Sequence, residues 1–159
     1  MQVIVEHIEE TATPFSAAFL QDVAERTLSR VQGLFPEEAR TCELSAIAVS
    51  EEKIRELNGE YRGKDAVTDI LSFAEYADAE ALKESAESQI VLGELFYCPS
   101  FILMAAQEDG ISQEHEMAYI FSHGILHLLG YDHTDEMFAL QDSVTEEVVR
   151  DSLEKKKTV

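Results

Sequence analysis

Residues 112–133 read SQEHEMAYIFSHGILHLLGYDH, and the fold is decided by how this stretch is laid out. Ser112 is of the type that caps a helix N-terminus, because its hydroxyl accepts a backbone N–H that the first turn leaves unpaired. Met117, Ile120, Phe121, Ile125, Leu126, Leu128 and Leu129 follow on several faces, so the pattern predicts a largely buried helix from about Gln113 to Leu129. Within it His123 and His127 stand four apart, which places them about 40° around and about 6 Å along the axis, as neighbours on one face. A third ligand further along the helix would fall in line with them, whereas zinc asks for a tetrahedron. Gly130, with no Cβ, permits the left-handed turn that ends a helix, and Tyr131 and Asp132 then bring His133 back beside the first two. The expectation is one metal site per chain, held by His123, His127 and His133, with a fourth position open to water. Zinc is the expected ion, although three imidazoles also suit copper, iron or nickel.

The spacing H-x-x-x-H-x-x-G-x-x-H matches the ligand pattern of the metzincin metalloproteases, glycine included. One position breaks the match: the glutamate that serves those enzymes as general base is Gly124 here. The bland alternative, histidines that merely end a helix with their rings hydrogen-bonded, does not call for three of them and a glycine in register. A closed structural site lacks a fourth protein ligand nearby. His115, about 12 Å back along the helix and about 80° around it, cannot reach the same ion and reads as a surface residue. His7 reads as structural. Asp132 is read equally as orienting a ligand histidine or as bracing the turn.

Working outward, Gln2 to Ile8 alternates with Val3 and Val5 on one face, a half-buried strand. Pro14 to Leu34 has helical spacing and is stopped by Gly33 and Pro36. Thr41 to Val49 predicts a strand that leads through Ser50, an N-cap, into the helix EEKIRELNGEY. Thr68 to Phe73 and Gln89 to Tyr97 predict two more strands, and the acidic, alanine-rich YADAEALKESAES between them predicts a mobile loop or marginal helix. PSFILMAAQEDG and residues from Asp135 to about Leu153 predict two further helices. The fold class is therefore α+β: a small mixed sheet of about four strands with about five helices, the histidine helix central in a zincin-like build. Strand order is not legible.

The chain has 159 residues, 45% of them hydrophobic, which fits a single domain over 1–159. No run reaches the roughly 20 apolar residues that span a bilayer, and MQVIVEHIEE has no basic start or cleavage site, so the expectation is a cytoplasmic protein with no membrane partner. Cys42 and Cys98 read as buried thiols. Twelve basic residues against thirty-two acidic give a formal charge of −20, which repels polyanions. Nucleic-acid binding therefore needs a local basic patch. The one window that offers it holds Lys53, Arg55, Arg62 and Lys64, interleaved with Glu52, Glu56, Glu60 and Asp65. The tail Lys155, Lys156 and Lys157 reads as a helix end where cations complement the dipole.

HGILHLLGYDH resembles the signature of the YbeY family, bacterial endoribonucleases of ribosomal RNA maturation. LNGEYRGKDAVTDILSF, VLGEL and PSFILMAAQEDG resemble its other blocks in the same order, so the resemblance runs from about Leu57 to Gln141. Glu94, Ala74 and Ser122 depart from it at positions where aspartate, proline and an apolar residue are usual. The resemblance implies metal ligation by His123, His127 and His133, and it implies that Arg62 is the functional arginine. A guanidinium grips phosphate through paired donors.

What the resemblance implies is a zinc-dependent, single-strand-specific endoribonuclease. It would process the small-subunit ribosomal RNA 3′ end and contribute to ribosome quality control, with ribosomal RNA, the ribosome and ribosomal or other proteins as partners. Zinc in such a cage lowers the pKa of its water to about 7, so no separate base is required; direct attack on phosphorus and activation of the ribose 2′-OH both remain open. The rival classes are a metallopeptidase, opposed by Gly124, and a non-enzymatic ribosome-associated metal-binding factor.

Overall fold

The computed structural model describes residues 1–157; positions 158 and 159 of the expected domain lie outside the described residues. Four strands form one mixed sheet: β1 (Gln2–Glu9), β2 (Thr41–Ala48), β3 (Ile70–Ala74) and β4 (Gln89–Tyr97), in the order β1-β2-β4-β3. β1, β2 and β4 run parallel, and β3 returns antiparallel along the edge of β4, pairing Ile70 with Tyr97 and Ala74 with Gly93. β2 and β4 occupy the middle and are mostly buried, whereas edge strand β1 is half-buried only at Val3, Val5 and His7. That difference is why β1 reads as an alternation of apolar and polar residues, while β4 reads as a largely apolar run and β2 alternates with small apolar residues.

Six helices are described: α1 (Ala17–Ser29), α2 (Glu51–Arg62), α3 (Ala79–Lys83), α4 (Pro99–Asp109), α5 (Gln113–Leu128) and α6 (Asp135–Lys157). α5 is the hub, touching α1, α4, α6, β3 and β4. Its Met117, Phe121, Ile125 and Leu126 are fully buried with Leu20 and Leu28 of α1, Leu95 of β4 and Val144 of α6, each worth roughly 1.5–3 kcal/mol of transfer free energy. A smaller core lies around α2, where Ile54 and Leu57 pack with Ile47, Leu71 and Phe96. Ser50 and Ser112 cap α2 and α5 as their sequences predict, accepting from Lys53 N and His115 N.

The last helix runs on to Lys157, past the expected end near Leu153, and two segments differ more in kind from the sequence reading. The first helix begins at Ala17 rather than Pro14, because the Ser16 hydroxyl takes the Phe19 N–H and caps it there; its C-terminal end is replaced by a single 3-10 turn at Gln32–Leu34. The acidic segment read as mobile or marginal forms α3. Asp78 caps it through Ala81 N, Leu82 is buried in the main core, and Lys83 Nζ donates to the carbonyls of Gly33 and Phe35 at 3.1 and 3.0 Å.

His7 has the structural role expected of it. Its Nε2 lies 2.8 Å from the Tyr97 hydroxyl, which donates in turn to Thr13 Oγ1 at 3.0 Å. Burial pushes the imidazole pKa down, with Glu9 partly opposing, and pushes the Tyr97 phenol up to about 12. A histidine whose folded pKa is depressed contributes stability that is complete above its ordinary value of 6.5 and is lost as pH falls from there through the lower folded-state value. Between about pH 7.5 and about pH 5.5 the wild type is therefore expected to lose more melting temperature than His7→Gln, as thermal melts would show.

Candidate metal centre

α5 carries His123 and His127 one turn apart, and the chain leaves the helix as its sequence predicts. Gly130 adopts φ +92°, the Gly130 N–H donates to His127 O at 3.0 Å and the Tyr131 N–H to Leu126 O at 3.0 Å. A side chain at Gly130 would be doubly penalised, since its Cβ would also sit 2.9 Å from the Ala79 nitrogen at the start of α3. Asp132 Oδ1 accepts from the His133 N–H at 2.8 Å, so Asp132 braces the turn. Thr134 then caps α6 through Met137 N at 3.3 Å.

The result is a convergence of three imidazoles. His127 Nε2 lies 2.9 Å from His123 Nε2 and 3.1 Å from His133 Nε2, and one ligand atom from each ring falls within 4.8 Å of the others. His123 and His127 are half-buried and His133 is exposed. His127 Nδ1 is 3.0 Å from the Tyr131 carbonyl, which only accepts, so that nitrogen carries the proton and Nε2 is left with a lone pair. His123 Nδ1 faces Gln141 Oε1 at 3.2 Å, which has the same effect. Facing lone pairs at 2.9 Å repel unless a cation lies between them, so the donor set fits a metal ion. Burial pushes the His127 pKa down, and the neighbouring His123 and His133 add to this against the Tyr131 carbonyl and Asp132. His127 is thereby kept in the neutral form that ligation requires.

The rings open onto a cleft of about 820 Å3, which also holds Arg62 and Lys64. Arg62 Nη2 donates to the Ser72 carbonyl at 2.7 Å, and the guanidinium carbon stands 5.0 Å from the centre of the Phe73 ring. The rest of the basic window is neutralised elsewhere: Arg55 pairs with both Asp65 oxygens at 2.7 and 3.1 Å, and Lys53 lies 3.8 Å from Glu56. Among the described residues neither Arg62 nor Lys64 has a carboxylate within ion-pair distance. Asn58, also in the cleft wall, is buried and donates to Ala66 O at 2.9 Å, fixing the loop that follows α2. Phe138, also in the cleft lining, is 39% exposed and its ring lies nearly parallel to His133, with centroids 6.2 Å apart.

Gly124 is explained by packing. A Cβ there would come 2.9 Å from Ile70 Cδ1 and 3.0 Å from Leu95 Cδ2, so its absence lets α5 lie close on β3 and β4. Cys42 and Cys98 are buried free thiols, and burial raises the Cys42 pKa to about 12. His115 lies away from the three rings, as expected, but it is half-buried beside α6 rather than on the open surface. Gln141 and Phe138 were not singled out by sequence. For Gln141 a signal existed, a polar residue in the buried stripe Met137, Gln141, Val144 and Val148 of α6.

Fold and site together define an α+β protein whose central helix and glycine turn form a three-histidine site able to hold a metal ion beside a cationic cleft wall. The family model described as Endoribonuclease YbeY matches residues 6–149, and the chain belongs to that family. Among its relatives is an Endoribonuclease YbeY of Bdellovibrio bacteriovorus, 32% identical over 94% of this chain and 97% of that one. Another, of Bacillus mycoides, is 34% identical over 92% of this chain and 96% of the relative. The match to the Ureaplasma urealyticum protein of the same name is 41% identical but spans 63% of this chain and 63% of the relative. The solution structure of TM1509 from Thermotoga maritima is similar in fold, with a TM-score of 0.61 and 29% identity over 95% of this chain and 93% of that one.

Proposed function

We propose that this chain, as a single domain over 1–159, is a zinc-dependent endoribonuclease specific for single-stranded RNA. Its place is in ribosomal RNA maturation, at the small-subunit RNA 3′ end, and in ribosome quality control in the cytoplasm, with the ribosome as its working partner. The observation that carries this reading is the meeting of three Nε2 atoms in one cleft with two cations that have no carboxylate partner among the described residues. His123, His127 and His133 would hold one zinc ion. A bound divalent metal supplies Lewis acidity and makes water acidic enough to lose a proton near neutral pH.

The chain's own residues would do the rest. Arg62, held by the Ser72 carbonyl and the Phe73 ring, presents its remaining donors to a phosphate and stabilises the charge that builds there. Lys64 adds attraction, and the open face of Phe138 is suited to stacking an unpaired base, which a duplex would not offer. This local arrangement is how a chain of net charge −20 would hold RNA. The peptidase reading is weakened because the position of its glutamate is a glycine on which a side chain would press against the ends of Ile70 and Leu95. No transmembrane candidate competes: among the described residues no helix is long and apolar enough to cross a membrane.

Arg62→Glu tests the reading. Arg62 is exposed, so the variant is expected to fold and take up zinc normally while kcat/KM on single-stranded RNA falls by about 10²-fold or more. Cells relying on it would accumulate ribosomal RNA precursors with unprocessed 3′ ends. Wild-type rates from Arg62→Glu, or cleavage of peptides in preference to RNA by the wild type, would overturn the assignment. Product ends would tell direct hydrolysis from attack by the 2′-OH, since only the latter leaves a cyclic phosphate.

A further inference from the structure

We infer that Gln141 is a positioning residue of the metal centre, holding His123 in the tautomer that turns its Nε2 lone pair toward the ion. The inference rests on the metal-site reading above and extends it to a second helix.

Gln141 lies on α6 in line with Met137, Val144 and Val148, in the middle of a stripe that is otherwise packed against the core. It is 0% exposed. Its Oε1 is 3.2 Å from His123 Nδ1, whereas its Nε2, equally buried, has no hydrogen-bond partner. A buried amide N–H left unpaired costs about 1–3 kcal/mol. Methionine fills nearly the same volume without that cost, so fold stability alone would favour the apolar residue. What methionine lacks is the carbonyl oxygen. Accepting the Nδ1 proton of His123 leaves Nε2 as the lone-pair atom, the one 2.9 Å from His127 Nε2. With the amide turned over, its NH2 would face His123 Nδ1 and favour the opposite tautomer, in which Nε2 bears hydrogen and cannot ligate.

His127 obtains the same service from the Tyr131 main-chain carbonyl. Among the described residues Gln141 is the one side chain bonded to Nδ1 of any of the three rings. Such outer partners fix ring orientation and raise ligand basicity, and their loss typically weakens metal affinity 10- to 100-fold.

The test uses the full chain with Gln141→Met and Gln141→Glu. Melting temperature is measured after metal removal, and zinc affinity by competition with a chromophoric chelator. Gln141→Met is expected to melt at or above the metal-free wild type and to bind zinc about 10- to 100-fold more weakly. Gln141→Glu, which can only accept when ionised, is expected to melt lower without metal and to bind zinc at least as tightly as the wild type. A Gln141→Met variant that melts lower yet binds zinc normally would make Gln141 a packing residue and overturn the proposal. Should that variant not fold, zinc binding by Gln141→Glu weaker than wild type overturns it as well. A wild type that binds no zinc would defeat the underlying metal reading, an outcome visible before any variant is made.

Discussion

Replacing His127 with alanine is expected to abolish stable zinc uptake and to lower cleavage of single-stranded RNA by at least about 10³-fold, while leaving the protein folded. His127 is the middle ring, within 2.9 and 3.1 Å of the other two Nε2 atoms, so its loss leaves two nitrogens that no longer enclose an ion. The fold loses little in comparison. The ring is only half-buried, and the turn beyond it is still held by the Tyr131 N–H on Leu126 O and the Asp132 carboxylate on the His133 N–H. Circular dichroism and thermal melting of the metal-free proteins would verify the fold, and a fluorogenic RNA would report cleavage. Activity within tenfold of wild type would place the chemistry elsewhere in the molecule. An unfolded variant would favour the non-enzymatic metal-binding factor, with the metal serving stability.

Gly124→Glu, which would restore the glutamate of the metalloprotease pattern, is expected to destabilise the protein rather than produce a peptidase. The new Cβ would stand 2.9 Å from Ile70 Cδ1 and 3.0 Å from Leu95 Cδ2, and the carboxylate would then be forced in where α5 meets the sheet. Overpacking and burial of an unpaired acid together cost on the order of 3 kcal/mol or more, a fall in melting temperature of about 10 °C. Alanine at the same position is milder, because the atoms it meets are side-chain ends that can shift. A Gly124→Glu variant as stable as the wild type that hydrolyses peptides would refute both the packing account and the argument against the peptidase.

How far the sequence carried this account depends on how local each feature is. Gly130 and the spacing of His123, His127 and His133 bring the three rings together within eleven residues, so that convergence could be read from helix periodicity and one turn. The four strands were similarly legible from alternation and apolar runs, each to within about two residues. Where tertiary contacts decide the outcome, pattern reading stopped short. The short helix α3 is held by Leu82 in the core and by Lys83 on two carbonyls of a distant loop, neither of which its acidic, alanine-rich composition announces. The order β1-β2-β4-β3 depends on which edges meet. Gln141 stands in the written sequence as one polar residue in an apolar stripe, but its meaning needs the 3.2 Å contact to a histidine eighteen positions earlier. Arg62 is intermediate: the sequence places it in the one basic window, while its position in the histidine cleft, set by Ser72 and Phe73, was not legible.

Zinc K-edge X-ray absorption on the stoichiometrically loaded protein addresses the convergence of the three rings most directly. One ion per chain is expected, with three imidazole nitrogens at about 2.0–2.1 Å and no sulfur, and no stably bound ion in His127→Ala. An ion bound through sulfur or carboxylates, or a wild-type chain that retains none, would contradict this expectation.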